Sequence, residues 1–156
     1  MAYVVFDLDG TVICSAHRYR NLPNGSIDLD YWRKNCTPDK IALDSLLPLA
    51  GTMKRLYDRH TIVVCTARML QDDDFQFLAD NDLRYHAILY RAEDDFRADC
   101  AMKVSLLNQY FKSEGYARAS HANVIMYDDN VTVIKAMLVN RIHCFDANVI
   151  NARMTA

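Results

Sequence analysis

Five short runs rich in β-branched and aromatic residues, Tyr3 to Phe6, Ile62 to Cys65, Ala87 to Tyr90, Val124 to Tyr127 and Ile142 to Phe145, alternate with stretches of helical spacing. Strands joined through helices run parallel, and a parallel sheet has to be covered by helices on both faces. The alternation therefore predicts an α/β fold, a doubly wound parallel sheet of about five strands. With 156 residues, 51% of them hydrophobic, the chain can bury one substantial core and is short for two. Residues 1–156 are expected to form a single domain.

Between the first two strands, residues 15–36 are polar and irregular, with a turn signal at Leu22-Pro23-Asn24-Gly25-Ser26, and read as a short surface insertion. Thr37 and Pro38 have the character of an N-cap and a first helical residue, and Pro48 restarts a helix predicted to reach Arg59. Asp72, Asp73 and Asp74 head a helix with Phe75, Leu78 and Ala79 on one face. Three successive helical residues point in different directions, so this triplet is assigned to the helix dipole and not to a metal. A later helix carries Met102, Leu106, Leu107 and Tyr110 on its buried stripe, residues 113–123 read as loop, and Val131 to Val139 form the last predicted helix.

A net charge of −2 gives no global basic field for nucleic acid. The five cysteines include no CxxC pair and fall partly within apolar runs, which favours reduced thiols. No apolar run is long enough to span a membrane, and the strand ending before Asp7 leaves no room for a signal peptide. A soluble, cytoplasmic protein is expected.

The chemistry concentrates where the first strand stops. In Val4-Val5-Phe6-Asp7-Leu8-Asp9-Gly10-Thr11, two carboxylates at i and i+2 would share one side of a continuing strand. Their repulsion calls for a hard cation, best met by Mg²⁺. Gly10 permits a sharp turn and close approach of its N–H to an anion, and Thr11 adds a hydroxyl. Thr66, Asp128 and Asp129 also lie at or beyond strand ends, and the carboxyl ends of parallel strands are where such sheets bind ligands. Taken singly, Lys103 could pair with Asp99, and Asp128-Asp129 could cap a helix. The five histidines show no zinc-ligand spacing.

Asp7-Leu8-Asp9-Gly10-Thr11 resembles the first motif of the haloacid dehalogenase (HAD) superfamily, whose later motifs are matched in order by Thr66, Lys103 and Asp128-Asp129. A response-regulator receiver has its acidic pair first and its lysine last, the opposite order. The resemblance implies a Mg²⁺-dependent phosphatase: Asp7 as nucleophile forming an aspartyl phosphate, Asp9 as general acid and base, and Thr66 and Lys103 on the phosphoryl oxygens. It also implies metal ligation by Asp7, Asp9 (through its carbonyl), Asp128 and Asp129. The run Arg91-x3-Asp95-x-Arg97-x-Asp99-x3-Lys103, with Arg18 and Arg68, is similar to the 3′-phosphatase domain of bacteriophage polynucleotide kinases. Departures are Thr66-Ala67-Arg68 for Ser-Gly-Arg and Asn130 where an arginine is expected. No G-x4-G-K-[ST] loop occurs, so the kinase half is not expected. The gaps that could house a cap are short, which implies minimal or no cap and an open site, with Gly10, Thr11, Arg18, Arg68 and Arg97 binding substrate. The expected substrate is a nucleic-acid 3′-phosphate end. The alternatives are a free nucleotide or other small phosphate ester, and a silent domain that binds phosphate ends.

Overall fold

The computed structural model describes residues 1–24 and 27–155, so Gly25 and Ser26 of the expected turn lie outside the described residues. In chain order the elements are β1 (Tyr3–Phe6), β2 (Ile13–Cys14), α1 (Leu29–Lys34), α2 (Pro38–Ile41), β3 (Ser45–Leu46), α3 (Leu49–Leu56) and β4 (Thr61–Cys65). They continue with α4 (Asp72–Asp80), β5 (Ala87–Leu89), α5 (Asp99–Ser113), β6 (Val124–Asp128), α6 (Val131–Val139), β7 (His143–Asp146) and α7 (Ala147–Thr155). Single 3₁₀ turns occupy Ala16–Arg18 and Ala119–His121.

Five strands form one parallel sheet in the order β5-β4-β1-β6-β7, as the alternation predicted. The winding reverses between β1 and β6, which puts the switch point beside Asp7. Side chains on the central strands divide by the two-residue period of a strand. Val4, Phe6, Ile62 and Val64 enter the core on one face, and Val5, Val63, Cys65 and Met126 enter the core on the other. Both sets are buried, which is why these strands read as continuous apolar runs.

The register aligns Tyr3 with Thr61 and Val124, and Phe6 with Val64 and Tyr127. One residue further, Asp7 and Asp128 stand side by side, with the Asp7 N–H donating to the Tyr127 carbonyl at 3.1 Å. By strand parity Asp7 shares the face of Val5, the face packed against α5. The buried side of α5 is Met102, Lys103, Leu107 and Phe111, so Lys103 heads a four-residue-spaced stripe that ends under Asp7, while Leu106 and Tyr110 are only partly buried.

Several local expectations change. The α4 face turned inward is Asp74, Phe77 and Leu78, with Ala79 exposed, because Arg68 draws the Asp74 carboxylate inward. Helix α3 ends at Leu56, where the Arg59 and His60 N–H groups fold back onto the Leu56 carbonyl. The antiparallel ribbon β2–β3 and the terminal α7 are not announced by any hydrophobic period. A buried asparagine holds α7: Asn151 donates to the Thr11 carbonyl at 3.0 Å and accepts the Leu49 N–H at 2.9 Å. Among the described residues, no helix is long and apolar enough to cross a membrane.

Candidate active site

At the carboxyl end of the sheet, Lys103 Nζ donates to Asp7 Oδ1 at 2.8 Å and to Asp128 Oδ2 at 2.7 Å, with all three side chains buried. Thr11 Oγ1 donates to the other Asp7 oxygen at 3.2 Å. Asp129 completes a triad whose ligand oxygens all lie within 4.8 Å of one another across Asp7, Asp128 and Asp129. Burial, reinforced by Asp128 and Asp129 against the pull of Lys103, pushes Asp7 well above the ordinary carboxylate range. Burial and the Asp128 charge push Asp129 up to about 6. Burial alone would depress the Lys103 ammonium, but Asp7 and Asp128 outweigh it and keep it protonated. When ionised, the three carboxylates against one ammonium leave the cluster two positive charges short of balance. An all-oxygen donor set with that deficit fits a hard divalent cation, and Mg²⁺ suits it.

Gly10 is required here for two reasons. Its φ is +77°, a left-handed backbone that disfavours a side chain. A Cβ on it would also sit 2.2 Å from Asp129 Oδ2. Its N–H, expected to face an anion, instead donates to the Ile13 carbonyl at 2.8 Å and closes the loop.

Asp9 belongs to a second charged group. The Arg68 guanidinium grips both of its oxygens, with Nε on Oδ2 at 3.0 Å and Nη2 on Oδ1, and Ser15 Oγ donates to Oδ1. Burial would raise the Asp9 carboxyl, but Arg68, Ser15 and Arg18 together overcome it and hold the group below its usual range. The carboxylate expected to carry a proton is thus ionised as it stands. Arg68 is fixed in turn by Asp74 Oδ1 at 2.6 Å, while Asp74 Oδ2 accepts the Gln71 N–H at 3.0 Å and caps α4. The Arg68 N–H donates to Thr66 Oγ1 at 3.1 Å, leaving the buried Thr66 hydroxyl its proton to donate elsewhere. Cys65 is no competing nucleophile, since burial pushes its thiol up to about 12.

The three arginines expected to flank an open site are placed differently. Arg18 is fully buried, with Nε on Asp44 Oδ1 at 2.9 Å and Nη2 on Asp44 Oδ2 at 2.7 Å, and its guanidinium lies 4.6 Å from the Trp32 ring centre. Arg68 reaches the same Trp32 ring at 5.8 Å and Asp44 at 3.6 Å. Arg97 is exposed and paired with Asp95, its Nε and Nη2 at 3.0 and 2.7 Å. Desolvation is the reason for Arg18 and Arg68: a guanidinium inside the protein has to take its carboxylates with it. Ser15, Trp32 and Asp44 were not singled out from the sequence, and Arg91 was noted only as part of the run leading to Lys103. Their partners lie up to dozens of residues away, and no local pattern marks them. Arg91 organises the loop before α5, donating to the Ala67, Asp95 and Arg97 carbonyls and to Asp99 Oδ1 at 2.7 Å. Asp99 is therefore Arg91's partner, and Lys103 is left to the site.

A five-stranded parallel sheet in this order, with carboxylates at the ends of β1 and β6 and a lysine beneath them, gives the chain the fold of haloacid dehalogenase-like hydrolases. More narrowly, the chain belongs to the bacteriophage T5 5′-deoxynucleotidase family, which matches it over residues 1–156. The 5′-deoxynucleotidase of Escherichia phage T5 is 30% identical over 129 residues, 80% of this chain. This chain spans about half of that relative's length, 50%. Among solved structures, the Pnkp1/Rnl/Hen1 RNA repair complex contains a chain that superposes with a TM-score of 0.67 at 21% identity, covering 93% of this chain and 42% of that one. A haloacid dehalogenase-like hydrolase from Streptococcus pneumoniae gives a TM-score of 0.67 at 10% identity, covering 97% and 90% of the two chains.

Proposed function

We propose that the chain, acting as one unit, is a Mg²⁺-dependent phosphomonoesterase that takes the phosphate from free deoxynucleoside 5′-monophosphates through an aspartyl phosphate on Asp7. The observation that carries the choice of substrate is the fate of the arginines: Arg18 and Arg68 are buried against internal carboxylates, and Arg97 is spent on Asp95. None of the three arginines expected to grip the successive phosphates of a polymer is left without a carboxylate partner. Kinship with a phage 5′-deoxynucleotidase points the same way.

Asp7 uses a carboxylate oxygen to form a bond to phosphorus as the bond from phosphorus to the leaving oxygen breaks. Lys103, held on Asp7 Oδ1, keeps that carboxylate oriented and offsets charge on the phosphoryl oxygens. Thr66 donates its free hydroxyl proton to one of those oxygens. Asp9 delivers a proton to the departing nucleoside oxygen, then accepts one from the water that hydrolyses the aspartyl phosphate. Because Arg68 holds Asp9 ionised, that first proton has to be taken up as the substrate dianion enters and draws on the Arg68 charge. Mg²⁺, when bound by Asp7, Asp128 and Asp129 with the Asp9 carbonyl, would supply charge neutralisation at the phosphoryl group.

The second reading, removal of 3′-phosphates from nucleic-acid ends, is favoured by the Arg91-to-Lys103 pattern and by the small size of what stands over the sheet. Inorganic phosphate release should be compared for deoxynucleoside 5′-monophosphates, 3′-phosphorylated and 5′-phosphorylated oligonucleotides, all in Mg²⁺. The mononucleotides are expected to be preferred. A preference for 3′-phosphorylated ends would transfer the assignment to the polymer reading.

A further inference from the structure

A cleft of about 210 Å³ opens beside the site, between the segment from Gly10 to Tyr19 and helix α7, with Leu47 and Asn148 on its walls. Two of its lining residues touch the reacting groups. Ser15 donates to Asp9 Oδ1, and Gly10 lies directly against the Asp129 carboxylate. The same Asp9 carboxylate is held on both oxygens by the Arg68 guanidinium, which is only 3% exposed and packed onto Asp74. A leaving group departs in line with, and away from, the attacking oxygen, and its oxygen has to meet Asp9. The cleft adjoins Asp9 through Ser15, so a leaving group that meets Asp9 has this cleft beside it. A second depression, lined by residues 92 and 94–97, has no lining residue hydrogen-bonded to Asp7, Asp9, Asp128 or Asp129 among the described residues.

We propose that this cleft receives the nucleoside part of the substrate, with the Tyr19 ring as the stacking surface for the base and the Asn148 carboxamide at the base edge. The proposal rests on the reading of the chain as a nucleotide phosphatase. Tyr19 lines the cleft and is 42% exposed overall, so part of its ring surface is open to a ligand. It follows directly on Arg18, whose fully buried double hydrogen bond to Asp44 and stacking on Trp32 fix the backbone from which the Tyr19 ring projects. Arg18 is thus a positioning residue for Tyr19 and not itself a phosphate ligand. Asn148 is set by its backbone N–H on Asp146 Oδ1 at 2.9 Å and by Nδ2 on the Asp129 carbonyl at 3.3 Å. That leaves a carbonyl oxygen and a second amide N–H, one acceptor and one donor, for a base edge. The volume, about 210 Å³, is below the ~300–1,000 Å³ of pockets that enclose drug-sized ligands, which suits one nucleoside.

The test is steady-state kinetics of the full chain in Mg²⁺ on the four deoxynucleoside 5′-monophosphates and on 2-deoxyribose 5-phosphate, which lacks the base. The wild type is expected to prefer nucleotides over the baseless sugar phosphate in kcat/KM. Tyr19→Ala is expected to shrink that preference about tenfold, mainly through KM, and Tyr19→Phe to retain it. Asn148→Ala is expected to narrow the differences among the four bases. Circular dichroism and thermal melting establish that each variant is folded. A Tyr19→Ala enzyme that keeps the wild-type preference for nucleotides overturns the cleft assignment while leaving the nucleotide reading intact. A wild type that hydrolyses the sugar phosphate as readily as every nucleotide, or hydrolyses no nucleotide, overturns both.

Discussion

Asp7 and Gly10 carry the sharpest expectations at the scale of single residues. Asp7→Asn keeps the size and most of the hydrogen bonding of the side chain but cannot form an aspartyl phosphate. Turnover should fall more than about a thousandfold, a loss read by phosphate release from enzyme freed of contaminating phosphatase. Near-native turnover in that variant would remove Asp7 from the mechanism. Gly10→Ala places a methyl group 2.2 Å from Asp129 Oδ2 at a φ of +77°. The backbone cost alone is about 1–2 kcal/mol, and the displaced carboxylate should weaken metal binding as well. The expected result is a lowered Tm together with a Mg²⁺ activation curve shifted to higher concentration. An unshifted curve would show that Asp129 does not depend on Gly10 for its position.

Between elements, charge does the joining that apolar packing does elsewhere. The 3₁₀ turn at Ala16–Arg18, the α1 helix and the approach to β3 are gathered by Arg18, Trp32 and Asp44, and Arg68 ties the same group to α4 through Asp74. Removing one partner of such a buried pair strands the other, at a cost of about 3–5 kcal/mol. Asp44→Ala is therefore expected to lower stability in urea unfolding by about 3 kcal/mol. Arg18→Met, which keeps the bulk of the stem and removes the charge, should also destabilise the fold. A double variant should cost less than the sum of the two single changes, because neither charge is then left alone. Strict additivity would mean that the pair contributes nothing as a pair.

For the molecule as a whole, the acidic triad makes stability depend on pH and on metal together. Asp129 titrates near 6 in the folded chain and near 3.9 unfolded, so the fold prefers its protonated form. In EDTA the contribution of this group is fully present below about pH 4, is lost as pH rises to about 6, and stays lost above that. Asp129→Asn has no such titration, so in EDTA its Tm relative to wild type should rise across this window and then level off. Mg²⁺ should reverse the order by stabilising the wild type more, since a ligand that binds only the folded state adds to its stability. A Tm difference that ignores both pH and Mg²⁺ would count against the triad as a metal site.

Much of this protein was legible in its sequence because the physics there is local or periodic. Tyr3 to Phe6 is apolar throughout because β1 is buried on both faces, and that same continuity marks the central strands of the parallel sheet. Asp7, Thr66 and Asp128 could be assigned to one edge because parallel strands align their carboxyl ends. What the tertiary structure alone decided was the pairing of charges. Lys103 could have served Asp99 four residues away, but Arg91 takes Asp99, and the helical stripe through Leu107 and Phe111 turns Lys103 under Asp7 and Asp128. Arg18 could have faced a solvent-borne phosphate, but Asp44, distant in sequence, draws it inside. A charge buried in a protein must find an opposite charge in three dimensions, and the distance along the chain does not say which one it will be.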